Sequence, residues 1–290
     1  RAREKKKKQK GIIMRPVVKV ARLRGLTSYA DGQTLQQLML SRLRASASGG
    51  VASSGSEPLL TDTLLLLEHR PVFTLGRLQS SAENVLASAA EIEAAGAAVV
   101  QSDRGGNVTF HGPGQLVAYP ILDLRRHKQD LRWYVSRLEE AMIGACAAFG
   151  VPAHPGGDGQ TGVWVKPGAA ATAMGDADAA GDDAEQRKIG ALGVRVNRWY
   201  SSHGIALNAD VDLGFFDMIV PCGLSETPKV TSLSNEVGRR IGVDELAPAF
   251  CDAFAQAMDV ELEEGDVSGL LREAHAAKVM AGLAPVSAGT

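Results

Sequence analysis

A chain of 290 residues with 45% hydrophobic and 22% charged side chains has the composition of a folded globular protein, long enough for one large domain or two small ones. A formal charge of −2 excludes a protein that binds nucleic acid over its whole surface. No apolar run approaches the ~18–20 residues of a membrane span; the conspicuous leucine run, Leu64–Leu67, ends at Glu68. The charge is uneven, since residues 1–10 hold seven Lys/Arg against one Glu, a local +6 that leaves −8 on the other 280.

The elements are legible in chain order. The basic start, opening on Arg1, fits a transit-peptide remnant, although Glu4 and the dense lysines match one poorly; a solvated charged tail is the other reading. A helix is predicted over Gln33–Arg44. The Ser/Gly/Ala-rich Ala45–Pro58 has no period and reads as a surface insertion. Thr63–Leu75 is strand-like with Pro71 at an edge or bend. Asn107–Leu124 is β-branched and aromatic, broken by Gly112-Pro113-Gly114.

Gln129–Phe149 carries Leu131, Val135, Leu138, Met142, Cys146 and Phe149 at spacings of three and four, with Gly150 as its C-cap. A strand follows at Thr161–Val165. Lys166–Arg187 is Ala/Gly/Asp-rich and acidic, a second insertion. Ala191–Leu207 adds further strands. Val243–Met258 repeats Leu246, Phe250, Phe254 and Met258 at four-residue steps, with Asp244 as its N-cap. Ala281–Thr290 is small and polar. Strands and helices are mixed without regular strand–helix–strand spacing. The expected class is therefore α/β of the α+β type, with mixed, mainly antiparallel sheets flanked by helices.

Three clusters can carry chemistry. In Asp103–Gln115 (DRGGNVTFHGPGQ) the glycines let backbone approach a ligand. Arg104 beside a Gly pair suggests a turn held by its guanidinium. Alternation puts Thr109 and His111 on one face and Val108 and Phe110 on the other. The segment is neither a phosphate-cradling Gly-Lys-Ser/Thr loop nor a G-x-G-x-x-G turn. Taken alone it also reads as a decorated hairpin with a satisfied histidine. In Lys188–Asn208, Lys188 opens a Gly-rich approach to a strand; it is either a solvated loop charge or a cation aimed into a crevice. His203-Gly204 echoes His111-Gly112.

The third cluster, Val220–Leu224, displays Cys222 between Pro221 and Gly223 on a constrained turn. Cys146 and Cys251 fall in predicted helices, where a cysteine is a small hydrophobe. With no C-x-x-C spacing, three cysteines make no disulfide framework and favour a reducing compartment. A nucleophilic Cys222 needs a cation to lower its pKa from ~8.5. Lys188 is the first candidate, then His111 and His203. A metal site from Cys222, His111 and His203 lacks the usual ligand spacing, so no metal or other cofactor is expected.

Together these clusters resemble the octanoyl (lipoyl) transferases that begin protein lipoylation, the LipB family, over about Leu60–Phe254. The motifs are Glu68–Gly76 (like E-x-x-P-V-x-T-x-G), Arg104–Gln115 (RGG-x-V-T-F-HGPGQ), Lys188–Gly193, His203–Asn208 (HG-x-A-L-N) and Ile219–Gly223. The resemblance implies the fold of biotin and lipoate protein ligases. It implies catalysis by Cys222, which would carry the acyl thioester, and by Lys188, which would lower its pKa. It implies substrate binding by Arg104, Gly105, Gly106, Asn107, Val108, Thr109, Phe110 and His111, by Ala191, Leu192 and Gly193, and by Gly204, Ile205 and Ala206.

The implied donor is octanoyl-acyl carrier protein. The implied acceptors are lipoyl domains of 2-oxoacid dehydrogenase complexes and the glycine cleavage H protein, with no nucleic-acid or membrane partner. Residues 1–15 would be a basic tail, 16–265 the catalytic domain and 266–290 a C-terminal extension. The basic start and the insertions suggest a mitochondrial protein, with a plastid or the bacterial cytoplasm as alternatives. Two other functions fit the fold: an ATP-dependent lipoate or biotin ligase, and a non-catalytic acyl-binding module.

Overall fold

The computed structural model describes residues 15–47, 61–157, 160–166, 186–221 and 229–280. Most of both predicted insertions, the first fourteen residues, 281–290 and Cys222 lie outside them.

A nine-stranded sheet organises the molecule. β1 (Val17–Thr27) runs parallel to β2 (Thr63–His69). β2 buries all four leucines because both faces of the sheet are covered: Leu64 and Leu66 enter one core, Leu65 and Leu67 the other. Chain direction then reverses at each step outward from β2. The order is β6 (Gln115–Ile121), β10 (Tyr200–Asn208), β9 (Arg187–Asn197), β8 (Val163–Val165) and β7 (Ala153–Pro155). β11 (Lys229–Val230) pairs in parallel with β9, and β12 (Glu261–Glu264) closes the far edge on β1. This is the mixed, mainly antiparallel sheet expected.

A smaller sheet orders β4 (Ala98–Gln101), β3 (Val72–Leu75) and β5 (Thr109–His111). Pro71 therefore marks where the chain leaves one sheet for the other. Gly112-Pro113-Gly114 marks its return, so that turn joins two sheets instead of closing a hairpin. Phe73, Phe110, Phe216 and Ile219 form this sheet's own core, and the Phe110 and Phe215 rings stack at 4.3 Å.

Among the described residues the α-helices are α1 (Tyr29–Ala47), α2 (Ala89–Ala94), α3 (Leu131–Ala147), α4 (Leu233–Val237), α5 (Val243–Met258) and α6 (Ser268–Met280). α3 and α5 cover one face of the large sheet. Leu138, Met142 and Cys146 are buried from α3, and Leu246, Phe250, Phe254 and Met258 from α5, as their spacing predicts; Leu131, by contrast, is 49% exposed. Two caps differ from expectation. Gly242, not Asp244, caps α5; Asp244 lies in its first turn, ion-paired with Arg22 at 2.5 Å. α3 ends on Ala148, and Gly150 lies beyond it with φ +73, where the chain turns back into the core at Val151.

α1 and α6 cover the other face. Leu35, Met39 and Leu43 of α1 pack with Leu270 and Ala274, so residues set apart as a C-terminal extension complete this layer. α1 is also longer than the predicted Gln33–Arg44. Among the described residues no helix is long and apolar enough to cross a membrane.

Candidate active site

The two sheets meet at a mainly apolar cavity of about 240 Å³. One wall is the β9–β10 hairpin, through Ala191, Leu192 and Gly193 and, from its partner strand, Gly204, Ile205 and Ala206. The facing wall is the segment entering β5, through Arg104, Gly106, Asn107, Val108, Thr109 and His111. Twelve of the fourteen residues expected to bind substrate thus share one cavity. Gly105 and Phe110 stand apart. Gly105 donates its N–H to Val194 O at 3.1 Å, tying the loop to β9, while the Phe110 ring packs into the aromatic core.

Backbone contacts join the motifs. A Cβ on Gly76 would meet Gly106 O at 2.0 Å, and one on Gly204 would meet Ala118 O at 2.0 Å. Only glycine permits these approaches. Arg104 is buried and holds its turn as expected: Nη2 donates to Thr74 O at 2.7 Å, and Nη1 to Gly105 O at 3.0 Å. Glu68 accepts the Gly114 N–H at 2.8 Å, connecting the first motif to the second.

Lys188 lies within β9 and is only 4% exposed, which decides between its two readings. Its Nζ donates to Thr161 O at 2.9 Å, lies 5.1 Å from the Trp164 ring centroid and borders the cavity. Carbonyl and ring face both suit an ammonium.

The histidines are not cations. Burial first, then the neighbouring His69 and Arg104 charges, hold His111 down to about 3. Burial and the Arg104 and Arg195 charges hold His203, inside β10, down to about 4. Neither can supply the positive charge considered for them near neutral pH. A hydrogen-bonded chain orients His111. Its Nδ1 is 2.8 Å from Gln115 Oε1, and Gln115 Nε2 donates to Asn208 Oδ1 at 2.9 Å. Asn208 Nδ2 donates in turn to Thr231 O. With Gln115 oriented this way, Nδ1 carries the His111 proton and Nε2 is an acceptor.

Tyr29, Leu78, Tyr119, Gln160 and Thr161 also line the cavity, and sequence reasoning missed them. Tyr119 was within reach, because it follows Gln115 at the even spacing of one strand face. Its hydroxyl is 2.7 Å from His69 Nε2, and His69 Nδ1 is 2.9 Å from Thr27 O. Tyr29 carried no local signal. Cys222 lies outside the described residues. Of the other cysteines, burial pushes Cys146 up to about 12 and Cys251 up to about 11, so both are unreactive near neutral pH.

Residues 51–255 match the lipoyl protein ligase A/B catalytic domain. An octanoyltransferase of Solibacter usitatus is 41% identical over 245 residues, covering 83% of this chain and 93% of that protein. The chain belongs to the octanoyltransferase family. It is an acyltransferase. An octanoyltransferase of Chloroflexus aurantiacus is 46% identical over 212 residues, 73% of this chain and 86% of that one. One from Myxococcus xanthus is 39% identical over 82% of this chain, which spans only 58% of that longer relative.

The fold extends beyond octanoyltransferases. A bipartite lipoate protein ligase from Thermoplasma acidophilum superposes with a TM-score of 0.58 at 14% identity, covering 87% of each chain. Lipoate-protein ligase A bound with ATP gives a TM-score of 0.54 at 14% identity, over 87% of this chain and 89% of that one.

Proposed function

We propose that this acyltransferase moves an octanoyl group from octanoyl-acyl carrier protein to a lysine of a lipoyl domain, through a thioester on Cys222. The observation that carries this reading is the buried Lys188 ammonium at the edge of an apolar cavity lined by the family's motifs. Pro221, the residue before Cys222, borders a small recess together with Lys188, Thr109 and Asn208.

The chemistry is balanced without ATP or metal. The Cys222 thiolate attacks the donor thioester and expels the carrier thiolate, giving an acyl-enzyme of similar energy. The acceptor amine then attacks that carbonyl, forming an amide and returning the cysteine. Thioester to amide is downhill. In its charged form Lys188 favours the thiolate; it gives its proton to the departing carrier thiolate, and the neutral amine then takes the proton that the attacking amine loses. The C8 chain enters the cavity, where each buried methylene contributes about 0.8 kcal/mol. The Thermoplasma ligase belongs to a lipoylation system with an E2 lipoyl domain, which supports an acceptor of this class. Lipoyl domains of 2-oxoacid dehydrogenases and the glycine cleavage H protein are the corresponding acceptors. A mitochondrial location rests on the basic start and the insertions; the octanoyltransferases named above are bacterial.

Incubation with octanoyl-acyl carrier protein, without ATP, should leave one octanoyl group on Cys222 by intact mass and peptide mapping. Cys222→Ala should carry none. An adduct surviving in that variant overturns the nucleophile, and an absolute requirement for ATP favours a ligase.

A further inference from the structure

His203 stands between two cavities. One side of it lines the apolar cavity of the active site. Another lines a polar groove of about 250 Å³ between α1 and the β9–β10 hairpin, walled by Gln33, Gln37, Arg44, Arg195 and Asn197. The octanoyl-transfer mechanism uses no group of this groove.

The dividing side chain is firmly held. Nε2 lies 2.6 Å from Asp103 Oδ1, and Asp103 is itself ion-paired with Arg195. The backbone N–H donates to Gln36 Oε1 at 2.6 Å, and the ring meets Tyr119 edge-on with centroids 6.3 Å apart. His203 has φ 57, a left-handed conformation in the middle of a strand. Such strain persists only where surrounding contacts impose it, and it concentrates at functional sites.

Strand register sets the distance to the reactive end. Lys188 precedes Gly190, which pairs with Leu207; His203 pairs with Val194. From 188 to 194 is roughly 20 Å at ~3.3 Å per residue. An extended eight-carbon chain covers about 10 Å, the length of three strand residues. Lys188 and His203 thus line the same cavity from opposite ends, and their side chains occupy part of that span.

We infer that the His203 ring is the end wall of the acyl site and sets the upper limit on chain length, with Asp103 as its positioning residue. This rests on the octanoyl-transfer reading. A methylene inside the wall gains about fourfold in affinity. One pushed past it must displace the ring and enter a groove whose amides and guanidinia resist losing water.

The test compares octanoyl- and dodecanoyl-acyl carrier protein as donors to a lipoyl domain, using the full chain. The wild type should prefer C8 by about tenfold or more in kcat/KM. His203→Gly, which also suits the left-handed backbone, should reduce that preference by about tenfold or more. Asp103→Ala, which releases the ring without deleting it, should reduce it by about threefold. Adding Ser41→Trp to His203→Gly, filling the groove from its exposed rim, should restore the preference.

A folded His203→Gly with unchanged preference overturns the wall, as does a wild type that uses both donors equally. If His203→Gly does not fold, Asp103→Ala decides, and an unchanged ratio there overturns it. If the wild type transfers no octanoyl group, the octanoyl-transfer reading fails instead. Calorimetric binding of free octanoate and dodecanoate then still reads the wall, and equal affinities overturn it.

Discussion

The helix layers and the segments around the cavity are built on different principles. In the layer of α3 and α5, side chains such as Leu138, Phe250 and Phe254 fill space, and at the helices' close approach a Cβ on Gly144 would meet the Ala253 side chain, at 2.9 Å, before its backbone. Around the cavity, backbone meets backbone, as at Gly76 with Gly106 and Gly204 with Ala118. The buried Arg104 and Asn208 and the half-buried Glu68 tie or orient those segments by hydrogen bonds. A helix layer can lose volume and keep its shape. The cavity walls cannot gain a single carbon at certain positions. Stability is therefore concentrated in one region and geometric precision in the other, and substitutions should separate accordingly.

The largest expected effect is on stability alone. Phe250→Ala empties a fully buried site and should cost about 4 kcal/mol in urea unfolding, while acyl transfer per folded molecule stays at the wild-type rate. A matching loss of activity in the folded fraction would erase the distinction. Gly204→Ala should cost about 3 kcal/mol, because its clash is with backbone and not with a movable side chain. Unlike Phe250→Ala, it should also depress transfer in the folded fraction.

Lys188→Met should reverse the pattern. We expect a rate loss of about 100-fold, with thiol alkylation slowed near neutral pH and a midpoint of urea unfolding close to wild type. An unchanged pH–rate profile would remove Lys188 from the reaction.

The last effect is absent near neutral pH and develops only in acid. His69, His111 and His203 are held to about 4, about 3 and about 4, in each case first by burial. The unfolded chain binds their protons first, near the ordinary 6.5, so their neutral burial is fully tolerated above that pH. Stability is lost as pH falls from 6.5 through about 4, at up to ~1.4 kcal/mol per pH unit for each histidine. His69→Gln should flatten this slope by one proton in unfolding measured at stepped pH. An unaltered slope would show that His69 is not buried in its neutral form.

Legibility followed the same division. The spacing of three and four residues located α3 and α5, since one buried stripe imposes that period on the sequence itself. Their caps were misplaced because Gly150 and Asp244 are plausible partners judged by type, while the ends depend on where the chain must go next. The motif residues around the cavity were found by their type and order. Tyr29 was not, because α1 reaches the site from across the fold.

The sequence by itself determined the helical stripes, the strand-like character of the leucine run, the glycines that allow close approach and the set of motifs that defines the family. Only the tertiary structure decided that Gly112-Pro113-Gly114 joins two sheets, that β1 lies between β2 and β12, that Lys188 is buried and that His203 separates two cavities. Periodicity records the burial of a neighbouring face, a local property. Partnership between segments as distant as Val17 and Glu261 depends on the energy of the whole assembled sheet, and no stretch of chain contains that alone.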